Sequence, residues 1–345
     1  FTVLGILFSP VILRWMGTPE DVLVHAEVYV RIYFAGMIPS LIYNVGAGLL
    51  RAVGDSRRPL YFLISACMVN IVLDVLLVVG LEMGVAGAAI ATIFSQAVSA
   101  VLVVLTLLRS RQAYRLEPRK IRFYGNLLDR IVRIGFPAGL QSVMYSLSNI
   151  IIQASINAFG TDIVAAYTAY GKLDGLYWMM INAFGVSITT FVGQNFGAGK
   201  YDRMRRSVRV CLLMTFGATV LMSGFFLLLG EPLYRLFTDD AQVIALGMQI
   251  LRLLVPTYVT YICIEVLAGA VRGTGDSLIP TLFTLTGVCL LRVAWVMGVA
   301  PAYHSLTVVL LSYPITWTIT SVLFVIYYLK GGWLKRSISK AKLEA

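Results

Sequence analysis

Across 345 residues, 59% of the side chains are hydrophobic, only 13% are charged, and the mean hydropathy is +0.83. Soluble domains carry about 25% charge, so there is too little polar surface here to cover a water-soluble fold. The net charge of +11 lies in the connections between apolar runs and is not interleaved with aromatic residues on one face, which excludes a nucleic-acid partner.

In chain order, residues 1–16 form a short apolar run. Longer apolar stretches predict helices near 25–50, 59–80, 85–108, 130–158, 163–191, 207–230, 243–270, 279–299 and 304–329, each near the ~20 residues a bilayer crossing needs. The joints carry turn formers: Gly17-Thr18-Pro19, Gly54-Asp55-Ser56, Gly230-Glu231-Pro232 and Gly275-Asp276-Ser277. Pro39 and Pro137 fall inside spans and are candidate bends. Bases crowd alternate connections: Arg109 to Arg133, Lys200 to Arg209, and Lys330 to Lys342. By the positive-inside rule these connections and the C-terminus face the cytoplasm. At 272–278 the signal is weak, because Arg272 and Asp276 cancel.

An internal repeat sets the organisation. RAVGDSRRP at 51–59 recurs as RGTGDSLIP at 272–280, an offset of 221, in connections assigned to the same side. Same-side repeats imply two bundles related by an axis along the membrane normal. The expected parts are 1–108, a remnant of the first bundle; 109–126, a basic cytoplasmic linker; 127–330, the second bundle; and 331–345, a cytoplasmic tail. The same offset places the start of the first bundle about 95 residues ahead of Phe1, so the chain is expected to lack its first helices.

Polar residues inside the spans are the candidate sites. Asn70 and Asp74 are one turn apart on a single helix face, and Thr92 on the next span lies at about the depth of Asp74. Their oxygens would suit Na⁺, or Asp74 would carry a proton. A charge at mid-bilayer costs about 3 kcal/mol or more, which favours a functional role. In the second bundle Gln141, Tyr145, Asn149 and Gln153 form a stripe that either lines a watery cavity or joins helices. Asp174 either pairs with Lys172 or attracts a cationic substrate, and Asn182 follows on the same span. Glu265 and Arg292 either pair or face the cavity. His25 and His304 lie far apart with no nucleophile or metal-ligand motif beside them, and the four cysteines sit inside apolar runs, so neither an enzyme nor a bound cofactor is expected.

The stretches GAGLLRAVGDSRRP, NIVLDVLLVVGLEMGVAGAAIATIFSQ, FVGQNFGAGKYDRMRRSVR and VLAGAVRGTGDSLIP resemble the multidrug and toxic compound extrusion (MATE) family. The resemblance implies an all-α polytopic membrane protein of two six-helix bundles enclosing a V-shaped cavity. It implies antiport of drugs, often cationic or amphipathic, against H⁺ or Na⁺ through the plasma membrane by a monomer. Asn70, Asp74 and Thr92 match the first-bundle coupling site of prokaryotic members; an Asp of that site on the family's first helix has no counterpart here. The acid that another branch carries on its seventh helix is replaced by Tyr145, and its tenth-helix acid is only loosely matched by Glu265. Gln141, Tyr145, Asn149, Asp174, Asn182 and Glu265 are the expected substrate-cavity residues. The competing reading is a lipid-linked oligosaccharide flippase of similar plan, which would need a cationic cavity for pyrophosphate; Lys172 and Arg292 are its candidates.

Overall fold

The computed structural model describes residues 2–15 and 20–344 and contains helices and turns, with no strand among the described residues. The Gly17-Thr18-Pro19 joint lies outside them. The helices are α1 (Thr2–Trp15), α2 (Glu20–Ala35), α3 (Met37–Ala52), α4 (Arg57–Asp74), α5 (Gly84–Arg109), α6 (Gly125–Asn157), α7 (Thr161–Gly197) and α8 (Tyr201–Arg235). They continue as α9 (Ala241–Leu254), α10 (Ile262–Gly273), α11 (Leu278–Thr284), α12 (Leu291–Gly298), α13 (Ala300–Tyr303), α14 (Leu306–Leu329) and α15 (Gly332–Glu344). Contacts divide the chain into two compact units between Arg122 and Phe123.

Seven spans among the described residues are long and apolar enough to cross a bilayer. An eighth is the bent pair α2–α3. The predicted single helix over 25–50 breaks at Gly36 with a 43° bend. Pro39 explains it: proline has no N–H for the Ala35 carbonyl, and its ring crowds that oxygen. The remaining predicted span is α6, 33 residues long, which runs unbroken through Pro137; its polar stripe lowers its apolar character. Many apolar side chains stay exposed, including Val72 at 65% and Leu228 at 83%, as expected where lipid is the solvent.

In the first unit, Leu50, Val103 and Leu107 form the core, and Gly46 lets α3 approach α5, since a Cβ there would meet Val103 Cγ2 at 2.7 Å. The α-helical part of α4 ends at Asp74 and continues as a π-helical stretch, Val75–Gly80. In the second unit a much larger core joins α6 to α14. Small residues bring α7 onto α10: Thr189 Oγ1 donates to the carbonyls of Gly185 (2.8 Å) and Gly269 (3.0 Å).

Two further features depart from the predicted elements. The span over 243–270 is interrupted by a 3₁₀ stretch, Val255–Thr260, with Pro256 at its start. Carbonyls along this break accept from other helices: Val255 from Ser223 Oγ (3.3 Å), Tyr258 from Tyr177 Oη (3.1 Å) and Thr260 from Ser321 Oγ. The expected tail is helical. Gly331, at φ 66°, turns the chain into α15, whose inner face buries Trp333, Leu334 and Ser337.

The repeat is visible in the backbone. Gly54 and Gly275 have φ of 89° and 90°, and α4 and α11 begin two residues beyond Asp55 and Asp276 respectively. Both glycine N–H groups donate to the arginine of their own copy, Arg51 or Arg272, at 2.9 Å.

Candidate functional site

Two polar groups stand out, one in each unit. In the first unit, Asn70 and Asp74 share a face of α4, half-buried among apolar side chains. Asn70 Nδ2 and Asp74 Oδ1 are both shielded from solvent, and neither has a hydrogen-bond partner. A flip of the amide exchanges that nitrogen for the Asn70 oxygen. Buried polar groups are almost always paired; among the eight buried side-chain atoms without a partner in the described residues, these two lie one turn apart on one helix face. Asp74 also abuts the π-helical stretch, and such irregularities recur at functional sites. Thr92 Oγ1 donates to Ala88 O at 2.9 Å within α5 and keeps its lone pairs free. These are hard oxygen donors, able to accept either Na⁺ or, at the carboxylate, a proton.

The second group is a continuous aromatic and ionic network. Asp174 on α7 accepts from Tyr258 Oη (2.6 Å) and Tyr170 Oη (3.1 Å) at Oδ1, and from Trp178 Nε1 (2.8 Å) at Oδ2. Tyr258 stacks on Tyr177 with centroids 3.9 Å apart, and the two hydroxyls of Tyr170 and Tyr258 are 2.9 Å apart. On the far side of the 3₁₀ break, Tyr145 Oη lies 3.2 Å from Tyr261 Oη, and Tyr261 donates to Glu265 Oε2 at 3.5 Å. Glu265 Oε1 pairs with Arg272 Nη2 at 3.2 Å, both side chains being largely buried.

Several sequence expectations are corrected here. Asp174 does not pair with Lys172. The two are two residues apart and so point to different sides of α7; Lys172 is exposed, and Asp174 is held by two phenols and an indole. Glu265 does not pair with Arg292. Its partner is Arg272, seven residues on along α10, which therefore is not neutralised by Asp276. Arg292 is 2% exposed, donates to Thr316 Oγ1 at 3.3 Å, and lies with its guanidinium 4.2 Å from the Tyr313 ring centroid and 5.7 Å from that of Trp317. Stacking of that kind suits guanidinium, which is weakly hydrated and planar.

The α6 stripe divides. Gln141 Oε1 accepts from Thr281 Oγ1 at 3.4 Å and Tyr145 joins the network, whereas Asn149 is exposed. Gln153 Nε2 donates along its own helix to Asn157 Oδ1 at 2.8 Å. Asn182 is exposed and donates to the Trp178 carbonyl at 2.7 Å. Tyr258, Tyr261, Tyr313, Trp317 and Arg272 were not singled out as members from the sequence. The signal for the first two was Pro256: a break in an apolar span that turns neighbouring side chains into one group.

The MatE family model matches residues 1–76 and 137–297. The chain is 27% identical to the "Probable multidrug resistance protein YoeA" of Bacillus subtilis (strain 168), over 98% of its own length and 74% of that protein's. Its fold superposes with a TM-score of 0.88 on a crystal structure of MATE in a bent conformation, at 22% identity, covering 98% of this chain and 76% of that one. It superposes equally well, at 0.89 and 22% identity, on a MOP superfamily transporter from Pyrococcus furiosus whose pocket of reverse polarity suggests a different function; 98% of this chain and 75% of that one are covered.

Proposed function

Because the chain belongs to the MatE family, we propose that it acts as a secondary active antiporter that exports drugs or other xenobiotics, often cationic or amphipathic, in exchange for H⁺ or Na⁺. The observation that carries the coupling scheme is the pair of unpartnered buried atoms, Asn70 Nδ2 and Asp74 Oδ1, on the apolar helix α4. An acid kept in that setting at a cost of about 3 kcal/mol, with no internal partner, is suited to an ion that arrives and leaves. Thr92 supplies a third oxygen from α5. Transport then follows population shift: ion and drug each bind one facing state better than the other, so each drives the other's release.

The second unit supplies the drug site in this reading. Asp174 and Glu265 already hold their donors, so they give an aromatic wall a fixed shape and a negative bias. Gln141, Tyr145, Asn149 and Asn182 add polar positions. The multi-pass chain works as a monomer in the plasma membrane, with 109–126 as the linker between bundles 1–108 and 127–330, and with that linker and the C-terminus in the cytoplasm, where their bases place them. The flippase alternative needs membrane cations open to a pyrophosphate; Arg292 is enclosed and stacked on Tyr313, which leaves that reading the single exposed cation Lys172 of its two candidates.

The test is substrate efflux by the full-length protein with the Na⁺ and H⁺ gradients collapsed one at a time. Loss of efflux on collapse of one gradient identifies the coupling ion, and efflux indifferent to both overturns the antiport reading.

A further inference from the structure

A cavity of about 700 Å³ lies where α7 ends, α8 begins and α14 turns into α15. Its lining includes Lys200, Arg203, Arg205, Lys330 and Lys335, against the single acid Asp202. Among the described residues none of these five cations forms an ion pair; Arg203 instead places its guanidinium 5.5 Å from the Phe191 ring centroid. A concave site with so many unneutralised bases repels itself unless an anion sits among them.

The rest of the lining narrows the anion. Leu334 and Ile338 of α15 provide an apolar side to the same cavity. The helix is fixed there by Trp333, which stacks on Tyr328 at 5.2 Å and donates to its carbonyl at 3.1 Å, and by Ser337 Oγ, 3.0 Å from Thr274 Oγ1. Its outer face exposes Arg336 and Ser339, and Lys335 is exposed where it borders the cavity. Packed on the protein by its apolar face at the ends of three long helices, α15 brings its bases to the level where charged side chains meet anionic lipid headgroups. The first turn of α8 adds the positive end of a 35-residue helix.

We infer that the junction of the α7–α8 turn with α15 is a binding site for the phosphate headgroup of an anionic phospholipid, with the start of the lipid's apolar body beside the half-buried Ile338. The site is independent of the coupling and drug sites proposed above, and its test reads no transport.

The experiment uses the full-length protein in vesicles of phosphatidylcholine mixed with phosphatidylglycerol, and native mass spectrometry reads the ratio of the two lipids retained. The double variant Arg205→Gln with Lys330→Gln should lower the preference for phosphatidylglycerol about 25-fold, about fivefold per cation removed. A control with equal loss of charge in the linker, Arg115→Gln with Arg119→Gln, should leave the retained ratio near that of the parent, because those bases do not line the cavity. Inorganic phosphate at millimolar concentration should leave the lipid bound. An unchanged ratio in the double variant, an equal fall in the control, or displacement of the lipid by inorganic phosphate would each overturn the assignment.

Discussion

Tyr258 Oη donates to Asp174 Oδ1 at 2.6 Å while its ring lies stacked on Tyr177, 3.9 Å between centroids. One phenol, presented by the 3₁₀ break after Pro256, thus ties the carboxylate of α7 to the wall around it. Charge-assisted bonds of this kind contribute about 1.5–3 kcal/mol each. Tyr258→Phe should keep the stack and lose the bond, lowering stability by about that amount in thermal unfolding of the solubilised protein. Asp174→Ala should lower it further, because it strands the Trp178 N–H and leaves the Tyr170 and Tyr258 hydroxyls only each other.

Asp74 should behave in the opposite way. Its Oδ1 has no partner, so Asp74→Asn removes a buried charge without stranding a donor. Melting temperature and membrane insertion should match or exceed the parent, while gradient-driven efflux by the full-length protein is abolished. Wild-type efflux from that variant would discard the coupling role; a collapse in stability would show that the acid is structural.

The close approach of α7 to α10 gives a steric prediction. A Cβ at Gly185 would meet the Glu265 carboxylate, which Arg272 and Tyr261 hold in place. Gly185→Ala should therefore destabilise by about 1–3 kcal/mol, as overpacking does. Gly48→Ala, where the added methyl meets nothing within 4 Å, should be neutral or stabilise α3 by about 0.5–1 kcal/mol. Comparing the two melting curves checks the argument.

The repeated turns should respond alike. At φ of 89° and 90°, a side chain on Gly54 or Gly275 meets backbone strain of about 1–2 kcal/mol although nothing crowds it. Gly54→Ala and Gly275→Ala should lower the melting temperature by similar amounts, and a large difference between them would mean that the two copies of the turn are not equivalent in what they support.

The features that could be read in advance are those encoded locally. An apolar run long enough to cross a bilayer specifies a helix because its backbone has no other partner in lipid. Pro39 marked the bend at Gly36, and Gly-Asp-Ser marked both copies of the turn, because φ preference belongs to single residues. Asn70 and Asp74 were legible as a pair since one helical turn fixes their shared face. Ion pairs were not legible in this way. Charge alone offers Lys172 as one partner for Asp174 and Arg292 as one for Glu265, but side-chain direction and packing assign Asp174 to phenols, Glu265 to Arg272, and Arg292 to the faces of Tyr313 and Trp317.

By itself, the sequence determined that this is an all-α chain of the membrane, roughly where its apolar spans lie, that one turn occurs twice, and which helix carries an isolated acid. Tertiary structure alone decided which polar groups are already satisfied. Partners such as Asp174 and Tyr258 lie 84 residues apart, and a contact at that separation depends on how three helices and a 3₁₀ break pack, which no local pattern of residues encodes.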